Sequence, residues 1–231
     1  MPKLTTKDFE EVFQDKFDDG LRKIIQGYDL EYRLVSPEER ALWLKKIEET
    51  LASPWVARAG EHRLGQWEAG WSENLKALRE TGKASALIPR YFGKYKVVRW
   101  KQSFITSLSP DFEYNTLAVI QDWLFAKYLR SVNAIYEFGC GTGHNLLRAR
   151  RANPRAKLYG LDWTKSSEDV IRRAVELGIL DNTESARFNF FSPDTSLALR
   201  ENSGVYTVAS LEQIGDMFVP FVDYLLAQKP K

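Results

Sequence analysis

Residues 137–145 read Glu-Phe-Gly-Cys-Gly-Thr-Gly-His-Asn, and the predicted fold depends most on these nine residues. This stretch ends an apolar run, residues 134–138, that is typical of a buried strand, and a helical pattern follows it. Glycines between a strand and a helix let the backbone turn sharply and approach a ligand closely, because they have no Cβ. The helix beyond them supplies free backbone N–H groups and a partial positive charge. The stretch therefore predicts a ligand site at the end of a strand.

The spacing of these glycines distinguishes between nucleotide cofactors. A dinucleotide site requires the pattern G-x-G-x-x-G, and its third glycine would stand where this chain has His144. The pattern here is G-x-G-x-G, formed by Gly139, Gly141 and Gly143. Asp162 ends the next predicted strand, where a doubly wound fold places an acid that accepts hydrogen bonds from ribose hydroxyls. We therefore expect a nucleoside cofactor that is neither NAD nor ATP.

Strands and helices alternate after residue 133 and predict an α/β fold with a Rossmann-like parallel sheet. The predicted strands are residues 134–138, 156–161, 186–191 and 204–209. Helical stretches between them indicate right-handed crossovers. Earlier in the chain, apolar residues at spacings of three and four indicate helix after helix, with a strand or hairpin around residues 95–100. The predicted domains are a helical region on the cap or substrate side, 1–130, and an incomplete cofactor-binding domain, 131–231.

Composition and charge narrow the functional classes. Among 231 residues, 33 are Lys or Arg and 31 are Asp or Glu, so the basic excess expected of a nucleic-acid-binding domain is missing. One cysteine excludes an intrachain disulfide framework, and no Cys/His cluster has zinc-ligand spacing. The sequence has neither a signal-peptide apolar region at its start nor a bilayer-spanning apolar run. We expect a soluble cytoplasmic protein with no metal and no membrane or nucleic-acid partner.

The Gly-rich stretch resembles the first motif of the class I S-adenosylmethionine-dependent methyltransferases. Asp162 matches the acid that ends their second strand, and residues 208–214 resemble their fourth-strand motif, with Gln213 in place of a frequent His. The resemblance covers residues 133 to about 228. Residues 137–145 and 160–163, after a Trp-rich helical region, are also similar to bacterial methyltransferases that modify sugars or polysaccharides. The resemblance implies S-adenosyl-L-methionine as the cofactor and a small molecule or sugar hydroxyl as the methyl acceptor.

The resemblance also implies which residues bind the cofactor. Glu137 would contact the methionine amino group, Asp162 the ribose diol and Trp163 the adenine face. Phe191 would pack on adenine, with Asp194 or Ser192 at its edge. The full implied set is Glu137, Gly139, Cys140, Gly141, Thr142, Gly143, His144, Asn145, Asp162, Trp163, Phe191, Asp194 and Ala209. No residue is identified as a catalytic base.

Several conspicuous residues have competing interpretations. His144 is either a catalytic base or, as we favour, a helix-start residue beside the cofactor. Trp67 and Trp71 follow the apolar stripe of their helix, so core packing is favoured over a substrate platform. Cys140 is interpreted as a small loop residue and not as a nucleophile. The basic side chains within residues 148–157 are expected to form a solvated helix face.

The number of predicted strands leads to a further expectation. The family's sheet normally has seven strands, and four are predicted here. We therefore expect a fragment or a trimmed form of a longer enzyme, with self-association through its open sheet edge or low stability. The alternative function is a module that binds S-adenosylmethionine or its demethylated product without turnover. The methyl acceptor and the oligomeric state do not follow from the sequence.

Overall fold

The computed structural model describes residues 1–53 and 59–231, and the chain divides into two compact units. The first unit is Met1–Ala57 with Arg90–Trp123, and the second is Arg58–Pro89 with Leu124–Lys231. A single boundary at residue 130 therefore does not describe the division. The difference arises because the helix that contains Trp67 and Trp71 packs with the parallel-sheet part of the chain.

The first unit joins short helices to a small antiparallel sheet. Its helices are α1 (Thr6–Phe13), α2 (Asp19–Gly27), α3 (Pro37–Ala52) and the first part of α5 (Phe112–Tyr128). Its strands are β1 (Tyr32–Leu34), β2 (Val97–Trp100) and β3 (Ser103–Ser107), in the order β1-β3-β2. The predicted strand or hairpin is thus confirmed as β2 and β3. The three-residue strand β1 has no sequence signal of its own, because it exists through its pairing with β3.

A parallel sheet forms the centre of the second unit and confirms the predicted α/β class. Its strands are β4 (Ala134–Phe138), β5 (Lys157–Asp162), β6 (Thr183–Arg187) and β7 (Ser203–Tyr206). They lie in the order β6-β5-β4-β7. The first strand of the sheet, β4, is therefore central, with β5 and β6 added on one side and β7 on the other. This order corresponds to the cofactor-binding part of a Rossmann-like sheet. Two strands differ from the prediction. Strand β6 (Thr183–Arg187) shares only residues 186 and 187 with the predicted strand 186–191, and β7 ends at Tyr206 instead of residue 209.

Helices cover both faces of this sheet. They are α4 (Leu64–Thr81), the end of α5, α6 (His144–Ala152), α7 (Lys165–Glu176) and α8 (Val219–Gln228). Successive side chains of β4 alternate between two apolar cores, as a strand requires. Ile135 packs in one core with residues of α4, α6 and α7. Phe138 packs in the other, where its ring lies 5.1 Å from that of Phe221 in α8.

The basic side chains within residues 148–157 form the expected solvated face only in part. Arg151 and Arg155 are exposed, whereas Arg148 and Arg150 are not. Arg148 is 4% exposed. Arg150 donates hydrogen bonds to the carbonyl oxygens of Asn153, Pro154, Ala156, Asp181 and Asn182. The expectation was wrong for Arg148 and Arg150 because charge alone does not show whether an Arg binds water or loop carbonyl groups.

Within the described ranges, every helix is too short or too polar to cross a bilayer.

Candidate functional site

The Gly-rich loop lies where β4 meets α6, at the carboxyl end of the sheet. Gly139, Gly141 and Gly143 have φ angles of +71°, +52° and +74°, in the left-handed region that favours glycine. The amides of Gly139 and Cys140 donate hydrogen bonds of 2.7 and 3.0 Å to the carbonyl oxygen of Leu161 in β5. The loop therefore turns across the end of the neighbouring strand, as the spacing predicts.

Close approach to neighbouring residues adds a second reason for two of these glycines. A Cβ on Gly139 would lie 2.5 Å from the Cβ of Ser210. A Cβ on Gly141 would lie 2.8 Å from the indole ring of Trp71. Real Cβ atoms do not make such contacts without displacing the neighbour, so these positions need glycine for space as well as for conformation.

Asp162 connects the Gly-rich loop to the start of α7. Its Oδ2 accepts a 2.9 Å hydrogen bond from the amide of Gly141. Its Oδ1 accepts from the amide and the hydroxyl of Thr164, at 2.9 and 2.7 Å. Burial raises the pKa of this carboxyl, and the bonds from Thr164 and Gly141 oppose that rise. A carboxylate offers about four acceptor positions, so these three bonds leave about one, on Oδ2.

A pocket opens beside this loop, with about 460 Å³ of empty space, part of which is open solvent. Its walls are mostly aromatic or apolar, with few polar side chains. The lining residues are Trp67, Trp71, Gly139, Asp162, Trp163, Phe190, Ala209, Ser210, Gln213 and Ile214. Among the residues implied by the sequence, the pocket brings together Gly139, Asp162, Trp163 and Ala209. An apolar cleft with a few converging polar groups is typical of a small-molecule site.

Trp67 and Trp71 line this pocket, so the expectation that they belong to the core was wrong. Both are half-buried, and their rings stack with centroids 5.4 Å apart. Further along the same stripe of α4, Leu75 and Leu78 enter the apolar core. The stripe shows which face of α4 points inward. It does not show whether the first two turns of α4 face the apolar core or the pocket.

Glu137 is fully buried behind the loop. Asn145 Nδ2 donates a 2.6 Å hydrogen bond to its Oε1, and the Tyr206 hydroxyl donates a 3.1 Å bond to its Oε2. Burial raises the pKa of Glu137 to about 8, although both hydrogen bonds lower it. The carboxyl group thus joins β4, α6 and β7 beneath the Gly-rich loop, and it does not line the pocket.

His144 begins α6, as expected for a helix-start residue. It is 5% exposed, and burial together with the charge of Arg148 lowers its pKa to about 3. Thr142 places its Oγ1 3.3 Å from His144 Nδ1 and donates a 2.5 Å hydrogen bond to the carbonyl oxygen of Leu87. Neither side chain lines the pocket. A buried imidazole that stays neutral at physiological pH fits a packing role better than proton transfer.

Cys140 is also buried within the loop. Its Sγ lies 3.5 Å from Ser167 Oγ, and burial raises the pKa of the thiol well above its ordinary value. The thiol therefore stays protonated, and a protonated thiol is a poor nucleophile. This placement agrees with its interpretation as a small loop residue.

The remaining implied residues follow β6. Phe191 lies with its ring centroid 5.7 Å from that of Trp163. Its neighbour Phe190, which is not among the residues that the resemblance implies, lines the pocket. Asp194 is exposed, and its Oδ1 accepts hydrogen bonds of 2.9 and 2.7 Å from the amide and hydroxyl of Ser196. Asp194 therefore lies outside the pocket lining.

Ser210, Gln213 and Ile214 also line the pocket. A signal for them existed, since residues 208–214 resemble a known motif. Only Ala209 was selected from that stretch. Ala209 adopts a φ of +54°, and this left-handed residue turns the chain after β7 towards the pocket.

Hydrogen bonds to distant parts of the chain anchor the start of α4 beside the pocket. Glu68 accepts 2.8 Å bonds from the amides of Lys165 and Ser166, so its carboxylate caps the N-terminus of α7. Arg63 Nη1 donates a hydrogen bond to Gln213 Oε1. The aromatic wall of the pocket is therefore connected both to α7 and to the loop after β7.

Comparisons with known proteins find similarity in solved structures alone. No family model matches the sequence, and no curated protein matches it. An SAH-bound methyltransferase from Podospora anserina is 14% identical at a TM-score of 0.39, and the match covers 87% of this chain and 68% of that one. Geranyl diphosphate C-methyltransferase from Streptomyces coelicolor is 18% identical at a TM-score of 0.40, with 69% and 57% covered.

A third structure, a geranyl diphosphate methyltransferase in complex with GPP and sinefungin, is 22% identical at a TM-score of 0.34. The match covers 43% of this chain and 37% of that one, so this chain spans well under two thirds of its length. At these values the similarity carries no argument about what this chain binds or does.

Proposed function

We propose that the pocket binds S-adenosylmethionine and that the chain is a methyltransferase acting on a small molecule or a sugar hydroxyl. One observation carries the proposal. The G-x-G-x-G loop, with its three left-handed glycines, is hydrogen-bonded through Gly141 to Asp162 at the end of the adjacent strand, beside an aromatic pocket. This arrangement supplies a close backbone approach, a carboxylate and ring surfaces, which suit a nucleoside with a short polar chain.

The side chains suggest how such a cofactor would be held. Asp162 keeps about one acceptor position on Oδ2, so we expect it to accept one hydrogen bond from the ribose. Trp163 and Phe190 line the pocket and offer apolar surface to the adenine. Both carboxylate oxygens of Glu137 are bonded to Asn145 and Tyr206. Glu137 would therefore act by orienting these two residues beneath the loop.

The same walls suggest what the chain contributes to methyl transfer. When bound, S-adenosylmethionine would supply an electrophilic methyl group on a sulfonium. Trp67, Trp71 and Ile214 line the pocket with apolar surface, which would exclude water around a bound cofactor. Ser210 and Gln213 supply polar groups that can orient an acceptor. Such positioning of two reactants accounts for a large part of the rate enhancement in reactions of this kind.

A second candidate is a module that binds the cofactor without turnover. One observation favours it. Within the described residues, Asp162 is the only acid that lines the pocket, and its oxygens are already bonded to Gly141 and Thr164. A hydroxyl acceptor needs a base or a lowered pKa, and the lining supplies no free carboxylate for that purpose.

Calorimetry and a methyl-transfer assay test both candidates. The full chain is titrated with S-adenosylmethionine, S-adenosylhomocysteine, NAD and ATP, and we expect binding of the first two alone. Methyl-labelled S-adenosylmethionine is then incubated with mixed small-molecule and sugar acceptors. Binding with label transfer supports the methyltransferase, and binding without transfer to any acceptor supports the module. Binding of NAD with no response to S-adenosylmethionine would refute both.

A further inference from the structure

Arg63, Trp67 and Trp71 form a ladder at the start of α4 and beside the pocket. They are spaced four residues apart, which places them on one face of a helix. The guanidinium carbon of Arg63 lies over the Trp67 ring, 5.2 Å from its centroid. Trp67 in turn stacks on Trp71, and both rings line the pocket. The ladder thus holds a positive charge against the aromatic wall.

Within the described part of the chain, the Arg63 guanidinium donates hydrogen bonds to neutral side chains only. Arg63 Nε donates a 3.3 Å bond to Gln66 Oε1, and Nη1 donates to Gln213 Oε1. Within residues 1–53 and 59–231, other arginines form ion pairs with carboxylates, among them Arg22, Arg33 and Arg172. Arg63 is in none of these ion pairs. Arg63 is half-buried and positioned by two amides and a ring. Its charge has no carboxylate partner in the described part of the chain.

The charges in and around the pocket indicate what the Arg63 guanidinium could bind. Asp162 is the acidic lining residue, and it is bonded to Gly141 and Thr164. The proposed cofactor would bring a sulfonium, which is a second positive charge. Two like charges between apolar walls repel one another more strongly than in water. A ligand with an anionic group near Arg63 would offset this repulsion, and a guanidinium binds carboxylate or phosphate in a planar, bidentate geometry.

We propose that the methyl acceptor carries an anionic group, a carboxylate or a phosphate, that Arg63 binds at the edge of the pocket while the acceptor's apolar body contacts the Trp67–Trp71 wall. This inference rests on the proposed function for its choice of acceptor. Arg63 is the specificity-determining residue, and Gln213 positions it. A neutral acceptor of the same shape would leave the guanidinium uncompensated and would bind more weakly.

The experiment measures anionic preference with matched ligand pairs. Benzoate is compared with benzamide, and phenyl phosphate with phenol, by calorimetric titration of the full chain with and without saturating S-adenosylhomocysteine. We expect at least one anionic ligand to bind about tenfold or more tightly than its neutral partner, and to lose affinity as salt is raised. The carboxylate and phosphate arms show which group the site prefers.

Variants then test whether Arg63 causes the preference for anionic ligands. Arg63→Gln should reduce the anionic preference to about twofold or less, and Arg63→Lys should retain part of it. Arg79→Gln removes the same charge from an exposed position near the end of α4, the helix that follows Arg63, and should leave the preference unchanged. Circular dichroism and thermal melting confirm that each variant folds. A preference that persists in Arg63→Gln, or equal binding of anionic and neutral ligands to the unmodified chain, would overturn the proposal.

Two further arms separate the proposal from its alternatives. If Arg63 instead binds the carboxylate of the cofactor, Arg63→Gln weakens the binding of S-adenosylhomocysteine. The binding of 5′-methylthioadenosine, which lacks that carboxylate, is then unchanged. That result would also overturn the proposal. If S-adenosylhomocysteine does not bind the unmodified chain at all, the proposed function fails. An Arg63-dependent anionic preference in the cofactor-free titrations would then still identify an anion-binding site, and its absence would refute that site as well.

Discussion

The amide of Gly141 donates a 2.9 Å hydrogen bond to Oδ2 of Asp162. This bond joins the loop after β4 to the end of β5, where the sequence places the cofactor acid. The acid expected to face a ribose is therefore also a structural residue, since it holds the loop in place and caps the start of α7 through Thr164. We therefore expect a substitution at Asp162 to change stability as well as the proposed cofactor binding.

Asp162→Asn should destabilise the fold and weaken cofactor binding together. The amide would present a donor to the Gly141 or Thr164 amide in place of an acceptor, and an unpaired buried donor costs about 1–3 kcal/mol. We expect S-adenosylhomocysteine to bind at least about tenfold more weakly in calorimetric titration. Asp223→Asn, at an exposed position of α8, is the matched control. A stable variant with unchanged affinity would show that neither role applies.

Gly141→Ala should lower the free energy of unfolding more than Gly178→Ala does. Both glycines have positive φ angles, +52° and +68°, so each substitution costs about 1–2 kcal/mol in backbone conformation. A Cβ on Gly178 would meet open space, whereas one on Gly141 would lie 2.8 Å from the Trp71 ring. Overpacking should add about 1–3 kcal/mol to the cost of Gly141→Ala in urea unfolding. Equal costs would mean that Trp71 moves aside freely.

Glu137→Gln should change how stability depends on pH. The pKa of Glu137 is about 8 in the folded chain, against an ordinary value of 4.5, so the folded state binds more protons between these values. The stability of the unmodified chain should therefore fall, relative to the variant, as pH rises from 4.5 to 8. The slope reaches at most about 1.4 kcal/mol per pH unit. Urea unfolding from pH 5 to 8.5 measures it, and parallel curves would contradict the burial argument.

His144→Asn should change the pH dependence of stability in the opposite direction. The pKa of His144 falls to about 3 from an ordinary value of 6.5, so the unfolded chain binds more protons between these values. The unmodified chain should lose stability, relative to the variant, as pH falls from 6.5 towards 3. Between pH 4.5 and 6.5 this effect opposes that of Glu137, so the two variants are needed to resolve them. A variant whose stability tracks the unmodified chain across this range would show that His144 ionises freely when folded.

Glu68→Gln should loosen the aromatic wall of the pocket. Its two oxygens accept from the amides of Lys165 and Ser166, and a glutamine has one acceptor oxygen for these two donors. Loss of such a helix cap costs about 1 kcal/mol, and we expect a matching fall in urea stability. Glu80→Gln, an exposed position of the same helix, is the control. Unchanged stability in Glu68→Gln would show that α4 is held by its apolar contacts alone.

Local rules were enough to predict the parallel sheet and the Gly-rich loop. The apolar run 134–138 forms β4, and the glycines at 139, 141 and 143 adopt left-handed conformations. Ser36 and Glu39, three residues apart at the start of α3, form a capping box. In each case the cause acts within a few residues of the chain, through side-chain alternation, backbone sterics or a local hydrogen bond. A sequence pattern can therefore carry it.

Tertiary structure alone decided which side chains meet at the pocket. Trp67 and Trp71 lie on an inward stripe, but the stripe does not specify that Gly141 and Asp162 lie opposite. Arg63 reaches Gln213, 150 residues further along the chain. Contacts of this kind depend on how α4 packs on the sheet and on where the loop after β7 turns. The physical reason is that packing joins residues distant in sequence, and local periodicity shows which face is inward but not which residues it will contact.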